Sequence, residues 1–283
     1  MTGEPTALEL REVRGPSALG GGLRRFWELL WLMSVTEFKR TYFGTVFGYF
    51  WSLLRPLLLF AVLLFVFTKI FRLGSDVVNY PVLLLFNIVV FGFFQESTTT
   101  AVTSVVAQEG VVRKTQFPLL VIPLSVVLTG LMNLGLNMIA VFGFLLAYGV
   151  DPRWTWLLLP LIIIPLAILT TAVSMLLSVL YVRFRDVLIM WTVAATVLFY
   201  GTPVLYPIDI ETTEGFRAPL MANPIAVILE QARVWIIDPN APTPAEAAGG
   251  VERLIPAAVI FVGVCLLAWR VFNREAPRVA EAL

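Results

Sequence analysis

Histidine is absent from all 283 residues, and cysteine occurs once, as Cys265. The first absence removes a histidine base, a histidine metal ligand and a histidine pH switch from consideration. The second excludes an internal disulfide, and Cys265, in the apolar run VIFVGVCLLAW, reads as a packing residue. Charge is sparse: 14 % of residues are Asp, Glu, Lys or Arg and the net charge is +1, so no basic field exists to gather nucleic acid. A phosphate-cradling GxxxxGKS or GxxxxGKT loop is missing too; the glycines at 20–22 have no Lys-Ser or Lys-Thr after them and no strand before, and read as a hinge. What the chain does carry is apolar surface. With 59 % hydrophobic residues and a mean hydropathy of +0.87, it has more than one soluble core can hide, so lipid must be its solvent.

Six apolar runs can cross a hydrocarbon core of about 30 Å as helices: residues 49–71, 81–106, 119–148, 154–181, 187–206 and 255–272. Basic residues divide unevenly between their connections. Arg24, Arg25, Lys39, Arg40 and Arg55 lie before or at the start of the first run, Arg113 and Lys114 follow the second, Arg183 and Arg185 the fourth, and Arg270, Arg274 and Arg278 end the chain. The positive-inside bias assigns those segments to the cytoplasm. The expected fold is an all-α integral membrane protein of the cytoplasmic (inner) membrane, with six transmembrane helices and both termini cytoplasmic. Residues 1–22, polar and without the apolar core of a secretory signal, are expected to be a flexible cytoplasmic tail, and 23–283 a single transmembrane domain.

Four features depart from plain spans. Between residues 23 and 43, charges alternate at helical spacing with Trp27, Leu30, Trp31, Phe38 and Tyr42, the pattern of an amphipathic helix along the inner leaflet or of an extension of the first span. Ser125, Thr129, Asn133 and Asn137 recur every four residues in the third run, and Thr171, Ser174 and Ser178 nearly so in the fourth, giving polar faces that pack on other helices or line a polar path. Pro160 and Pro165 are expected to bend the fourth span. Glu96, beside Gln95 and followed by a serine and three threonines, is an acid deep in a span; it must face protein or water, as a functional group or as one satisfied by neighbouring hydroxyls. Residues 201–253 hold apolar pieces too short to cross, broken by Pro203, Pro207, Pro219 and Pro224. They fit re-entrant short helices between the fifth and sixth spans, or a surface loop with an amphipathic helix on the outer leaflet.

Taken in order, five segments resemble the membrane subunits of ATP-binding-cassette exporters of lipid-linked polysaccharides and related polymers, of the O-antigen, capsule and teichoic acid kinds. They are FGTVFGYFWSLLRPLL at 43–58, EGVVRKTQFPLLVIPL at 109–124, YVRFRDV at 181–187, TPVLYP at 202–207 and ANP at 222–224. Each is weak alone; their order and spacing on this topology make the set specific. The resemblance implies a channel-forming homodimer that moves a lipid-linked polymer outward, each copy docked on a separate cytoplasmic ATPase. ATP and Mg would sit on that partner, with no cofactor, metal or catalytic residue in this chain. It places Gln108, Glu109, Arg113, Lys114, Thr115, Gln116, Phe117 and Pro118 on the ATPase-coupling helix, and Arg183, Arg185 and Asp186 at a second contact, where positive-inside topology explains the arginines but not Asp186. Tyr42, Phe43, Tyr49, Phe50, Trp51, Phe199 and Tyr200 look like the aromatic rings lining the family's channel, although aromatics at helix ends also anchor in the interface. Pro203, Tyr206, Pro207, Asn223 and Pro224 mark the re-entrant segment, and Arg40 the site of lipid head-group access. Where such sequences often carry asparagine before the proline of WSLL-x-P, this chain has Arg55, expected near the inner leaflet to grip a lipid phosphate or to snorkel.

Other functions fit less well. A drug exporter of the same superfamily would not need an aromatic-lined conduit. A membrane transferase would want clustered acids, whereas Asp209, Glu211 and Glu214 are scattered. A secondary transporter would show internal repeats and several intramembrane charges.

Overall fold

The computed structural model describes residues 22–42, 48–70, 77–114, 118–208 and 215–282, and no strand occurs among them. In chain order the helices are α1 (Gly22–Tyr42), α2 (Gly48–Phe65, continued by a π turn to Ile70), α3 (Tyr80–Ala107), α4 (Glu109–Lys114), α5 (Val121–Ala147) and α6 (Leu159–Arg183, entered through the 3₁₀ turn Trp154–Leu158). Then come α7 (Val187–Gly201), α8 (Arg217–Met221), α9 (Pro224–Ala232, continued by a π turn to Ile237), α10 (Pro244–Ala248) and α11 (Ile255–Ala282). Five of these, α2, α3, α5, α6 and α11, are long and apolar enough to cross a membrane. The 15-residue α7 is apolar but shorter, about 22 Å at 1.5 Å per residue. Residues 1–21 and the acids at 209, 211 and 214 lie outside the described residues.

The fold is organised around α3. In its most apolar window 78 % of residues are buried inside the protein, against 6 % for α2, so α3 is the core strut and α2 a peripheral leaf. Tyr80, Phe86, Phe91 and Phe94 of α3 fill one large cluster with Leu134, Met138 and Leu145 of α5 and Ile162, Leu166 and Leu169 of α6. A second cluster joins Val105, Ile122, Met175, Val179, Phe272 and Val279 at the opposite end of the bundle. The hydroxyl face of α6 lies in this packing: Ser174 and Ser178 are fully buried, as expected of small residues that let helices approach. Along α5 the polar face meets α1. Ser34 Oγ donates to the Ser125 carbonyl at 3.3 Å, and Thr129 Oγ1 donates to the Ser34 carbonyl at 3.2 Å. Thus α1 follows α5 over at least a turn, with Leu30 and Ser34 buried and Trp27 and Trp31 exposed on its other side.

Two expectations about proline are corrected. The fifth apolar run does not continue to residue 206, because α7 stops at Gly201 and Thr202 is extended (φ −103°, ψ 144°). Pro203 collides with a helical residue before it and so ends the helix. Pro160 does not bend the fourth span; it sits in the first turn of α6, where its missing N–H is harmless, and only Pro165 lies inside.

The segment after α7 folds back into the protein. Residues 202–205 are buried, the Tyr80 hydroxyl donates to the Leu205 carbonyl at 2.7 Å, and Asn87 Nδ2 donates to the Pro203 carbonyl at 3.3 Å. Asn87 is seven residues into α3, about 10 Å along its axis, so this irregular backbone reaches that depth with protein satisfying it. Asn223 links the pieces: its Nδ2 donates to Thr202 Oγ1 at 2.8 Å while its Oδ1 caps α9 by accepting from the Ile225 amide at 2.9 Å. The five-residue α10 is closed by a capping box between Thr243 and Glu246 and by Gly249 in the left-handed region, φ 81°. Hydrogen bonds from Thr243 hold the Glu246 carboxyl below its usual range.

Helices α3 and α5 touch closely at Gly130. A β-carbon there would sit 2.2 Å from Ser97 Oγ and 3.2 Å from the Phe93 ring. Gly130→Ala is therefore expected to destabilise the protein by about 1–3 kcal/mol through overpacking. Ser97 Oγ itself is buried without a partner among the described residues, so Ser97→Ala is expected to be neutral or stabilising by about 1 kcal/mol, and to relieve the Gly130→Ala cost when combined. A double-mutant cycle of thermal unfolding in detergent checks both.

Candidate functional site

Glu96, the acid expected inside a span, meets Arg55. Arg55 Nη1 of α2 lies 3.7 Å from Glu96 Oε1 of α3, with the two side chains 82 % and 67 % exposed. Glu96 is 11 residues from the C-terminal end of α3 and 16 from its start, or about 16 Å and 24 Å along a helix some 42 Å long. Centred on a 30 Å core, it lies about 10 Å inside. Arg55 sits level with it, and its ion-pair partner is this carboxylate. The Tyr42 phenol lies beside Ser52 of α2 and Asn133 of α5 and within electrostatic reach of Glu96. Ser52 and Asn133 are side-chain hydrogen-bonding neighbours of that phenol, and one turn on from Asn133 the Asn137 Oδ1 is buried without a hydrogen-bond partner among the described residues. Four helices therefore bring one cation, one anion and several polar groups to one level.

Below Glu96, the exposed side of α3 stays polar. Thr99, Thr100 and Thr103 are exposed or half-buried while Ser97, Thr98, Ala101 and Val102 are buried, so Glu96 and the threonines share one face that leads to Gln108. Gln95, next to Glu96, is half-buried. On α7, Thr192, Thr196 and Tyr200 recur every four residues on the exposed side. Both of those threonines donate to carbonyls of their own helix, Leu188 and Thr192, so they tolerate lipid as well as water. The Trp191 indole donates to Thr98 Oγ1 at 3.1 Å and fixes α7 against α3.

The expected aromatic set divides. Phe50, Trp51 and Tyr200 are more than half exposed. Phe199 instead packs edge-on against Phe91 at 5.4 Å, in the core around α3. Tyr42 is half-buried in the polar cluster, Tyr49 lies in α2, and Phe43 lies outside the described residues. Pro203 and Pro207 are buried, and Tyr206, Asn223 and Pro224 half-buried, in the folded-back segment.

At the other candidate surface, Gln108 ends α3 and Glu109 begins the six-residue α4, which contains Arg113 and Lys114. Thr115, Gln116 and Phe117 lie outside the described residues, and the Pro118 carbonyl accepts from the Val121 amide at 2.9 Å to start α5. The exposed Arg183, Arg185 and Asp186 turn between α6 and α7 belongs to the same end of the bundle, since α6 and α3 both finish in the second apolar cluster. Arg183 lies over the Phe184 ring at 5.5 Å and Arg185 over the Tyr181 ring at 5.0 Å. Arg40, exposed in the last turn of α1, and Arg270, Arg274 and Arg278 near the end of α11 add to the basic residues. Asp151, Glu230, Asp238, Glu246 and Glu252 lie beyond the other ends of α5, α7 and α11.

Residues missed by sequence reasoning are Tyr80 and Asn87, which hold the 202–205 turn, and Ser52, which faces Tyr42. The Arg55 and Glu96 pairing did leave a signal. Arg55 is 15 residues before the end of the first span at Ile70, and Glu96 is 16 after the start of the next at Tyr80, so an antiparallel pair must set them level.

Residues 28–237 match the family described as ABC-2 type transporter. An O-antigen export system permease protein RfbA of Klebsiella pneumoniae is 31 % identical over 259 residues, 90 % of this chain and 95 % of that one. A second protein of that name and organism is 32 % identical over 203 residues, 71 % and 77 % of the two chains. An RfbA of Myxococcus xanthus is 27 % identical over 250 residues, 87 % and 92 %. The five long apolar helices, the polar face buried among them and this match over most of the chain lead to one conclusion: the protein belongs to the ABC-2 type transporter family of membrane proteins, and is a multi-pass transport subunit.

Proposed function

We propose that the chain is the conduit half of an ATP-driven exporter of a lipid-linked polysaccharide in the cytoplasmic membrane. It works as a pair of identical subunits and is driven by a separate cytoplasmic ATPase that carries the ATP and Mg. The observation that carries this reading is the exposed Arg55–Glu96 pair at mid-bundle. Lipid solvates such charges poorly, so this face turns toward water or a second copy, and the threonines of α3 continue it to the bundle end that holds α4. The names of the relatives supply the cargo class. The gathering of arginines at the α4 end supports a cytoplasmic assignment for that end and for both termini. There α4 and the Arg183–Asp186 turn receive the ATPase. Exposed Phe50, Trp51 and Tyr200 offer sugar rings faces on which a chain can slide, and Arg40 and Arg55 receive the phosphate of the carrier lipid.

Because the only native cysteine is Cys265, side-chain exposure to water is directly measurable. In a Cys265→Ala background assembled with its ATPase, a cysteine at Thr100 is expected to react with a membrane-impermeant thiol reagent, and one at Val262 on α11 is not. Equal protection of both would put the α3 face in lipid and overturn the conduit. Purification is expected to bring down an ATPase in equal amount, and its loss is expected to end export of the surface polysaccharide.

A further inference from the structure

We propose that Glu96 is the resident counter-anion of Arg55, and that a phosphate on the carrier lipid takes Arg55 from it, so that arriving cargo unties α2 from α3. This rests on the reading of Arg55 as a phosphate ligand, and adds to it a competitor and a consequence.

The geometry is that of a loose tie. A charge-assisted N–H···O bond closes at about 2.7–2.9 Å, and a guanidinium that grips a carboxylate well does so with two parallel bonds. Here a single Nη1···Oε1 approach of 3.7 Å is made, with both side chains mostly exposed. A phosphate presents more acceptor oxygens in a geometry that suits the guanidinium fork, so it can make the bidentate contact that Glu96 does not. What is lost matters as much. Only Phe60 is buried among the described side chains of α2, and Phe60, Leu63 and Leu64 pack on the core beyond Arg55, so the charged tie governs the part of this helix that precedes them. The tie is also what makes a resting state tolerable, since an unpaired charge at this depth is costly.

The released carboxylate has somewhere to go. The Tyr42 phenol is within its electrostatic reach and has Ser52 and Asn133 as side-chain hydrogen-bonding neighbours. A phenol, a serine hydroxyl and an asparagine N–H can each donate, so this cluster offers donors to which an unpaired Glu96 can turn.

The test uses the complete transporter with its ATPase in zwitterionic phosphatidylcholine nanodiscs, Cys265→Ala, with spin labels at the exposed positions Val62 of α2 and Val78 ahead of α3. Adding a polyprenyl diphosphate is expected to lengthen the label separation, and a neutral polyprenol is not. Glu96→Gln is expected to show the long separation without any lipid added, and to raise basal ATP hydrolysis about five-fold or more, the scale of an ordinary coupling. Arg55→Gln is expected to lose the response to the diphosphate. If Arg55→Gln still responds, the phosphate reading of Arg55 is wrong. If it loses the response while Glu96→Gln matches the parent protein, that reading stands and the exchange is refuted. Full recovery of resting distance and response by Arg55→Glu with Glu96→Arg would show a merely structural pair. An equal response to phosphatidylglycerol nanodiscs would assign the anion to bulk lipid and overturn the cargo signal.

Discussion

Glu230→Ala is expected to destabilise the protein by about 3–5 kcal/mol, which lowers the unfolding midpoint in detergent by roughly 10 °C. Glu230 and Arg233 lie one turn apart where α9 passes into its π turn, with Arg233 Nη1 3.6 Å from Glu230 Oε2 and both side chains 4 % exposed. Truncating the acid takes a carboxylate away from a buried guanidinium, with the buried Ile236 and Ile237 following it, and a buried cation that loses counter-charge is costly. Arg233→Met alone is expected to cost a similar amount, because a buried carboxylate then loses counter-charge. The pair Glu230→Leu with Arg233→Met removes both charges together and is expected to recover most of the loss, since the desolvation of two ions goes with the attraction between them. Tryptophan fluorescence during a thermal ramp reads all four proteins. Additive losses in the double variant would show that the two charges do not compensate one another.

The second large effect is on coupling. Charge reversal by Arg113→Glu with Lys114→Glu, or truncation by Phe117→Ala, is expected to weaken ATPase binding roughly 30-fold and to abolish export, while the membrane protein still inserts and folds. Loss of an aromatic or arginine anchor at the centre of an interface costs about 2 kcal/mol or more, and every 1.4 kcal/mol is about tenfold in affinity. The mechanical reason lies in the connections. One residue, Gln108, separates α3 from α4, and six residues separate α4 from α5, so a push on α4 is delivered to the core strut and its closest neighbour. Co-purification of the ATPase and surface display of polymer check the two halves separately. Retained assembly with lost export would mean that the segment transmits force without supplying affinity.

How much of this was legible beforehand differs by element. The long spans were readable because about 20 consecutive apolar residues have few other uses. The boundary of the fifth was not, since Val204 and Leu205 continue its apolar composition although Pro203 has ended the helix; they are apolar because they are buried against α3, not because they cross lipid. The periodic face of α5 announced that something polar would be met there, but α1 as its partner at Ser125 and Thr129 depended on where a separate helix lies. Phe199 illustrates the opposite error. Its place beside Tyr200 suggested a channel ring, yet neighbours on a helix point about 100° apart, and Phe199 turns inward to Phe91 while Tyr200 turns out.

By itself the sequence determined that this chain lives in lipid, where its long apolar helices lie, and which end of the bundle collects its arginines, because hydrocarbon solvation and charge asymmetry act on composition along the chain. It also carried the family signature in the order of its short motifs. Tertiary structure alone decided that α3 is the buried strut, that Tyr80, Asn87 and Asn223 hold a turn inside the protein, and that Tyr42, Ser52 and Asn133 gather beside Glu96. Those contacts join residues as much as 125 positions apart, and which helix faces which is settled by how several apolar surfaces are buried at once, a condition that no single segment contains.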